Sequence, residues 1–475
     1  MIEKKTGKKI FVKIGIILLT LALIAGVFGC NGAAPKQNGD VDNEGKLIEN
    51  RTEDEMASRI KGSITFTVNN ESGKEAEAMA PKAVVAAFEN KYKNVKVHYE
   101  EAKRDTYAAR ISAGDIGDVF WCDANDTNNY QRNHDALMPL DSYLKPLNIN
   151  MGDIYSGALD SGRIQGRLYM VPRKIGEQIL MYNNSMLSEA GIDFDNSYAY
   201  KWEDFKNICQ QLTVIEDGKV MKSGAAFKIW WSPIWQMFFR GWGGQWIDSI
   251  NHEVHIVDSN EVMMGVNELV TAVMEGWIYP EDMTGSINAI KYDISDGDGD
   301  ISKVCFKTFG AMTWLTRLGN AYDNLQIDWD FCPFPAFPTH NISTGATGYV
   351  VYNRTNNPDT AAAFALFFLT TEGQTAYHSQ TGGNVPLLKS LADEDFWKGV
   401  GTEWEGKNYA AFVSYPDQTA PSNIVTQAPT EIAEIFSDTN MIQTFAKIFN
   451  GGADAQTAFN QMQTKANEKW KTIMS

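Results

Sequence analysis

The sequence predicts an α/β protein whose N-terminal part is built on a parallel sheet. Residues 64–68 and 95–99 alternate β-branched or aromatic residues with polar ones, as half-buried strands do. A segment with apolar residues at helical spacing lies between them. Strand, helix and strand in this order form a βαβ unit, in which the two strands run parallel. Residues 119–122 are continuously apolar, which is typical of a strand covered on both faces.

The remaining elements follow in order along the chain, whose 475 residues suffice for about two or three domains. Further strands are predicted at residues 168–172, 178–182 and 348–352, with a polar link between the first two. Helices are predicted at residues 186–190, 202–212, 234–239, 262–275, 361–369, 442–449 and 455–473.

The first 29 residues are predicted to be an export signal. Five Lys precede an apolar run at residues 14–28. This 15-residue run spans only about 23 Å as a helix, short of the ~30 Å hydrocarbon core of a bilayer. It ends in Val-Phe-Gly-Cys30, which resembles a bacterial lipobox, where the Cys is diacylated and becomes the new amino terminus; Phe28 departs from the smaller residue usual there. The alternative is a plain secretory leader with an incidental Cys.

The segment after Cys30 and the charge of the chain limit its partners. Residues 30–61 are small, polar or charged, which predicts a lipidated Cys and a flexible tether. Removal of the leader takes away five Lys and one Glu, so the net charge falls from −17 to −21. Lys and Arg bind a phosphate backbone or anionic lipid, and here 59 Asp and Glu outnumber 42 Lys and Arg, so we expect no nucleic-acid partner.

Four further cysteines, Cys122, Cys209, Cys305 and Cys332, have spacings that match no zinc or redox motif. Export permits disulfides, and four thiols allow three pairings. Cys209 lies on the apolar face of the helix predicted at residues 202–212, which favours a buried free thiol. We expect no functional disulfide.

Several segments, in the same order along the chain, resemble one known family. They are residues 111–119, 137–144, 168–172, 181–192, 202–205 and 309–312, followed by 347–375 and Val385-Pro386. Residues 114–119 read Gly-Asp-Ile-Gly-Asp-Val, similar to the Gly-Asp-x-Pro-Asp-Val of the family, with Gly117 where Pro is common. The chain is thereby identified as resembling the extracellular solute-binding proteins of family 1, the maltose-binding-like receptors of bacterial ABC importers.

This resemblance implies a type II periplasmic-binding-protein fold, with two α/β lobes, a hinge and a central ligand cleft. Lobe 1 would comprise residues 62–171 and 340–389, and lobe 2 residues 172–339 and 390–475. The resemblance further implies capture of a carbohydrate, an oligosaccharide, by lobe closure and its delivery to the permease subunits of an ABC importer. We expect a monomer without a cofactor, held at the outer face of the cell membrane by lipid.

Aromatic residues are concentrated at residues 230–246, where rings could stack on a sugar. Sugars present hydroxyls that need hydrogen-bond partners and a C–H face that needs apolar contact. Trp230 and Trp231 are neighbours and cannot point the same way, so at least one is expected to face the cleft. The alternative is that Trp231 belongs to a buried helix face together with Trp235 and Phe238.

Further candidates lie where strands end. Trp121 and Asp123 are at the carboxyl end of a predicted parallel strand, where open α/β sheets bind ligands, although Trp121 could also be a strand-end core residue. Arg173 and Glu177 occupy the link that, by resemblance, crosses into the cleft; the alternative is a solvated ion pair.

The resemblance adds four more candidates for ligand binding. Trp314 and Arg317 follow the match at residues 309–312, after which family members present a ring to the ligand. Asn70 and Glu71 follow the first strand and are similarly placed.

Catalytic and metal-binding motifs do not emerge from the sequence. The acidic segment 293–300 resembles a calcium loop. However, a loop starting at Asp296 puts Ile301 where Gly is needed and Lys307 where Glu is needed, which favours a solvated acidic loop.

Two alternatives to the carbohydrate receptor stay open. A lipid-anchored glycoside hydrolase would need two carboxylates across the cleft. A receptor for a non-sugar solute such as a peptide or polyamine is the other; for a peptide, an Arg or Asp would face the ligand termini, and Arg173 and Arg317 keep that open.

Overall fold

Two mixed sheets, each flanked by helices, form the body of the chain. The computed structural model describes residues 40–41, 46–69, 75–174, 176, 178–298, 300–310, 315–339, 342–344, 347–381, 385–415, 419–422 and 424–475. The strands are β1 Gly62–Asn69, β2 Val95–Ala102, β3 Val119–Asp123, β4 Arg163–Ile164, β5 Arg167–Leu168, β6 Met170–Pro172, β7 Ile179–Asn183, β8 Val214–Glu216, β9 Lys219–Phe227, β10 Ile247–Asp248, β11 Glu253–Val254, β12 Ile278–Pro280, β13 Lys291–Tyr292, β14 Val304–Phe309, β15 Trp329–Pro333, β16 Ile342–Thr344, β17 Thr347–Val351 and β18 Thr419–Pro421.

The helices alternate with these strands through most of the chain. They are α1 Glu53–Arg59, α2 Glu75–Lys91, α3 Tyr107–Ala113, α4 Ala124–His134, α5 Asp141–Leu144, α6 Ser156–Asp160, α7 Asn184–Glu189, α8 Trp202–Leu212, α9 Ser232–Arg240, α10 Asn260–Met274, α11 Leu315–Asn324, α12 Pro358–Phe367, α13 Thr371–Thr381, α14 Thr430–Ala433, α15 Asp438–Phe449 and α16 Ala455–Met474. Among the described residues, no helix is both long enough and apolar enough to cross a bilayer.

The first sheet has the strand order β2-β1-β3-β17-β6. Strand β1 runs parallel to both β2 and β3, which confirms the predicted βαβ unit. Strand β17 enters from a distant part of the sequence and lies antiparallel between β3 and β6. The half of the molecule built on this sheet is called the first lobe below.

The second sheet has the order β12-β9-β14-β7-β15, with β8 and β13 paired to β9. Strands β9, β12 and β14 are parallel, and β7 is antiparallel to β14 and β15. The helices predicted at residues 202–212, 262–275 and 455–473 are confirmed as α8, α10 and α16. The half built on this sheet is called the second lobe, and the α/β fold class is confirmed.

Aromatic side chains fill the two cores. In the first lobe the Phe66 ring lies 4.9 Å, centroid to centroid, from the rings of both Tyr349 and Phe364, edge to face. In the second, Trp202 stacks on Phe337 with centroids 4.7 Å apart. Burying a large apolar side chain contributes about 1.5–3 kcal/mol, so such clusters hold each sheet to its helices. The first core continues into the second sheet, which joins the lobes.

The N-terminal segment differs from the predicted tether, which extends to residue 61. Residues 48–50 form a 3-10 turn, and α1 begins with a capping box between Thr52 and Glu55. Ile48 and Met56 are fully buried in the first core. The prediction missed this because the apolar anchors are single residues among charged ones, too sparse to show helical periodicity.

The four cysteines of the body, Cys122, Cys209, Cys305 and Cys332, are buried free thiols. Burial raises the thiol pKa of each above its ordinary value. Cys209 lies on the buried face of α8, as its spacing predicts.

Gly224 of β9 allows α8 to pack directly against the second sheet. A Cβ at this position would lie 2.3 Å from the Cα atom of Cys209, well inside van der Waals contact. We expect Gly224→Ala to lower the free energy of unfolding by about 1–3 kcal/mol, because the helix must shift away from the sheet. Chemical denaturation measures this directly.

The matched control is Gly285→Ala. A Cβ there meets no atom within 4 Å, so its unfolding free energy should stay close to that of the wild type. Equal stability of the two variants would contradict this packing.

Candidate functional site

The polar ends of four strands lie along one edge of the first sheet. Thr347, the first residue of β17, pairs with Asp123, the last residue of β3. The backbone N–H of Arg173, which follows β6, donates to the carbonyl of Thr347 at 3.2 Å. Strand β1 ends at Asn69 on the same side, because it runs parallel to β3. This edge is therefore the carboxyl end of the parallel strands, where open α/β sheets bind ligands. It is called the first edge below.

The second sheet has a corresponding edge, called the second edge below. Ile179, the first residue of β7, pairs with both Phe309 and Pro333, the last residues of β14 and β15. Strands β9 and β12 end at the same level, since Pro280 pairs with Phe227. Glu281 and the segment 228–231 therefore continue from this edge.

Short connections hold the two edges close together. Only six peptide steps separate Arg173 from Ile179, which limits their separation to about 21 Å. Residues 334–346 make a second crossing, and β16 within it pairs with β18. Helix α4, which begins directly after β3, reaches the second lobe, where the Asn128 amide donates to the Thr430 hydroxyl at 3.3 Å. Side chains at the two edges can therefore contact one ligand from both sides.

Trp121 and Asp123 lie at the first edge, as predicted, and both are tied to Arg104. Trp121 is buried, with 7% of its surface exposed, and the Arg104 guanidinium lies 5.6 Å from its ring centroid. Arg104 also pairs with Asp123 at 2.5 Å and with Asp126 at 2.6 Å. Arg104 was not among the predicted site residues, although it lies just past the end of β2, as Asp123 lies at the end of β3.

Arg173 is buried in the first lobe, which rules out the solvated alternative for this residue. Its Nε donates to the Thr347 hydroxyl at 2.8 Å and its Nη1 to the Tyr377 hydroxyl at 3.0 Å. The Gln374 amide donates to the Arg173 carbonyl at 3.3 Å. These contacts fasten the start of the link to helix α13. Glu177 lies outside the described residues.

Trp230 and Trp231 connect the second edge to helix α9. The Trp230 Nε1 donates to the Glu281 carbonyl at 2.9 Å, and the Lys228 ammonium lies 5.8 Å from its ring centroid. Trp231 is the N-cap residue of α9, and Pro233 occupies the first turn. Both rings are half-buried.

The core alternative for these rings holds further along the helix. Trp235 and Phe238 are fully buried in α9, whereas Trp231 keeps part of its surface exposed. The helix thus directs Trp235 and Phe238 into the second core, against which the half-buried Trp230 and Trp231 also pack.

A buried ion pair beneath the second edge was not predicted. Lys307 of β14 reaches across the small Ala226 of the neighbouring strand to Glu281, and both charged residues are at most 4% exposed. Burial, together with the nearby Lys228 and Arg317, lowers the pKa of Lys307 to about 7, while contact with the Glu281 carboxylate favours the charged form. Only the Glu281 Oε1 makes this contact; Oε2 is buried without a hydrogen-bond partner among the described residues.

The acidic segment 293–300 uses protein groups as its counter-ions. Asp293 pairs with Lys219 at 2.5 Å and with Lys303 at 3.0 Å. Asp296 accepts from the Tyr279 hydroxyl at 2.7 Å. Within the part of the chain that the structure describes, no cluster of His, Cys, Asp and Glu has a metal-binding arrangement.

The remaining predicted residues fall partly outside the described residues. Arg317 is exposed and pairs with Asp298 of the acidic segment at 3.0 Å. Trp314, Asn70 and Glu71 lie in segments that the structure does not describe. Their assignments stay predictions.

Gln178 is a further polar residue at the second edge that the sequence reasoning missed. It is 2% exposed, and its Oε1 has no hydrogen-bond partner among the described residues. Its amide covers Gly310, where a Cβ would lie 2.6 Å from that oxygen. The signal available in the sequence was its position in the link directly before β7.

Two α/β halves that are joined by short crossings, with their strand ends directed at one another, define a type II periplasmic-binding-protein fold. Solved structures share this fold across most of the chain. The sugar-binding protein MalE of Xanthomonas citri aligns with a TM-score of 0.67 and 15% identity over 87% of this chain and 98% of its own. The cyclic alpha-maltosyl-1,6-maltose binding protein of Arthrobacter globiformis aligns with a TM-score of 0.65 and 17% identity, covering 87% and 100%.

The chain belongs to the bacterial extracellular solute-binding proteins, whose family model matches residues 69–375. One similar relative is an arabinooligosaccharide-binding protein of Halalkalibacterium halodurans, 20% identical over 242 residues. That match covers 50% of this chain and 51% of the relative, so the chain spans about half the length of that curated relative. The predicted family and fold are confirmed.

Breaking the buried pair should strongly destabilise the second lobe. We expect Lys307→Met to lower the free energy of unfolding by about 3–5 kcal/mol, because the Glu281 carboxylate stays buried without its counter-ion. The double variant Lys307→Met/Glu281→Gln should recover part of this loss, and denaturant titration of the wild type, both single variants and the double variant gives the coupling energy.

A second lysine provides the control. Lys303 bridges Asp293 and Asp300 near the surface, so Lys303→Met should cost no more than about 1 kcal/mol. A Lys307→Met protein as stable as the Lys303→Met protein would show that the buried pair does not carry this stability.

Proposed function

We propose that this protein is the carbohydrate receptor of an ABC importer. It captures an oligosaccharide outside the cytoplasm, closes its two lobes on it and delivers it to the permease subunits in the membrane. The observation that carries the proposal is the pair of facing sheet edges, in a chain whose residues 69–375 match the solute-binding family.

The names of similar proteins support a carbohydrate ligand. They include the arabinooligosaccharide-binding protein and a substrate-binding protein of Listeria monocytogenes solved in complex with cycloalternan, which aligns with a TM-score of 0.60 and 17% identity over 86% of this chain and 99% of its own. The half-buried rings beside charged groups at the second edge suit a sugar, which needs apolar contact for its C–H face and polar partners for its hydroxyls. A peptide or polyamine ligand is the alternative.

The ligand-binding residues are proposed from the two edges and the segments that follow them. Trp231 and Trp230 would supply the stacking surface of the second lobe, and Trp121 with Asp123 the opposing surface. The further members of the proposed set are Asn70, Glu71, Arg173, Glu177, Trp314 and Arg317. Because Arg173 already binds Thr347 and Tyr377, its proposed role is to orient the link beside the ligand.

Binding without catalysis is the activity we infer. The similar proteins named above are binding proteins, whereas a glycoside hydrolase would need two carboxylates facing one another across the cleft. The lobes are proposed to comprise residues 62–171 and 340–389, and residues 172–339 and 390–475. Lipid attached to Cys30 would hold the monomer at the membrane after residues 1–29 are removed.

A thermal-shift screen of residues 31–475 tests the function. The panel contains malto- and arabino-oligosaccharides, monosaccharides, short peptides and polyamines. A ligand at 100 times its Kd adds about 2.7 kcal/mol to stability, so we expect a clear rise in Tm with one sugar series and no new product by chromatography. A rise with peptides or polyamines alone would replace the ligand class, and sugar turnover would establish the hydrolase.

Replacing Trp231 tests the stacking surface. Burial of about 100 Å² of sugar and ring surface contributes roughly 2.5 kcal/mol, so Trp231→Ala should weaken binding of that sugar at least tenfold. The half-buried ring contributes less to folding than Trp235, so Tm should change little. Titration calorimetry measures the affinity.

Tyr198→Ala is the matched ring deletion outside the site. Tyr198 is 50% exposed, in a loop whose Asn196 bonds to Asp330 at the opposite end of β15 from the edge. The Tyr198→Ala protein should bind the sugar with the affinity of the wild type. Unchanged affinity in the Trp231→Ala protein would refute the stacking role.

A further inference from the structure

The N-terminal segment is fastened to the first lobe at Asp40. Both carboxylate oxygens of Asp40 accept from the Arg167 guanidinium, at 2.8 and 2.7 Å. The Ser142 hydroxyl donates to the same carboxylate at 2.7 Å. Arg167 belongs to β5 and Ser142 to α5, both in the first lobe.

A second attachment lies about ten residues further on. The Asp359 carboxylate of α12 accepts from Arg51 at 2.8 Å and from Arg59 at 2.5 Å, and the Tyr143 hydroxyl donates to it at 3.2 Å. Arg51 and Asp359 are both buried. A buried carboxylate shared by two guanidinium groups holds both ends of α1 against the lobe, because separating the charges would leave Asp359 buried without a cation.

Apolar packing adds to these two attachments. Ile48 and Met56 have no exposed surface and belong to the same core as Phe66. All the partners named here lie in α5, β5, α12 and the first core. The segment therefore behaves as part of the first lobe.

We propose that residues 40–41 and 46–60 form a clamp that makes the first lobe the half of the receptor fixed to the membrane, so that the second lobe is the half that swings. This rests on the lipid attachment at Cys30 in the proposed function. Ten peptide steps separate Cys30 from Asp40, at most about 35 Å of extended chain, whereas the 32 steps from Cys30 to Gly62 extend to about 110 Å. The clamp thus shortens the tether about threefold and holds one lobe at the bilayer for the permease.

Energy transfer between the receptor and the bilayer tests the clamp. The full lipidated chain is placed in phosphatidylcholine–phosphatidylglycerol vesicles that carry a rhodamine-labelled lipid. A donor dye is attached at Lys145→Cys, beside the clamp, or at Ile250→Cys, an exposed position of the second lobe. The four cysteines of the body are buried, so the introduced thiol labels selectively.

We expect higher transfer from the Lys145→Cys donor than from the Ile250→Cys donor. The clamp variant Asp40→Ala/Arg51→Ala should lower the Lys145→Cys transfer at least twofold, because the tether lengthens once the attachment at Asp40 and the buried Arg51–Asp359 contact are both removed. Lys46→Ala is the matched control, since its bridge to Glu55 is half-exposed and lies within the clamp itself, and its transfer should stay unchanged. If the double variant does not fold, Asp40→Ala removes the first attachment alone and should lower transfer to a smaller extent.

Two results would overturn the clamp: equal transfer from both donor positions, or transfer from Lys145→Cys that stays the same in every clamp variant that folds. Vesicle flotation and sugar binding are measured on the same preparations. Failure of the wild type to float would remove the lipid anchor and the clamp proposal with it. Loss of sugar binding in a protein that floats would count against the receptor function alone.

Discussion

The short link between β6 and β7 is the constraint on which the rest of the structure depends. It leaves the first sheet beside Gly348 of β17 and enters the second sheet beside Phe309, so the strand ends of both sheets must lie within a few residues' reach of each other. Arg173 at its start is held by Thr347 and Tyr377, and Gln178 at its end covers Gly310. Two lobes that fold around separate aromatic clusters are thereby forced to present their ligand-competent edges to one another.

Buried charge is used differently in the two lobes. In the second lobe, Lys307 and Glu281 lie under the strand ends, and the Trp230 Nε1 donates to the backbone carbonyl of Glu281. In the first lobe, Asp359 is far along the sequence from the arginines it binds, and its role is to hold the N-terminal segment. Both pairs stay in place because removal of one partner leaves the other charge buried and uncompensated. The Lys307–Glu281 pair lies beneath the second edge, and the Arg51–Asp359 pair attaches the N-terminal segment to the first lobe.

Local pattern was enough to predict most of the fold. Period-two alternation predicted β1 and β2, a continuous apolar run predicted β3, and the rule on parallel strand ends predicted where Trp121 and Asp123 lie. Contacts between distant residues could not be predicted this way. The Lys307–Glu281 pair depends on the small Ala226 between the strands, and the Arg51–Asp359 pair joins residues 308 positions apart. Neither has a signal in a window of neighbouring residues, which is also why the tether was predicted to be too long.

Small-angle X-ray scattering measures directly whether the two lobes close around a sugar. Scattering is recorded on residues 31–475 with and without the oligosaccharide that raises Tm most. We expect a smaller radius of gyration with the sugar, because ligand contacts from both edges draw the lobes together. The same radius of gyration at saturating sugar would contradict closure, and with it the assignment of the facing edges as the binding site.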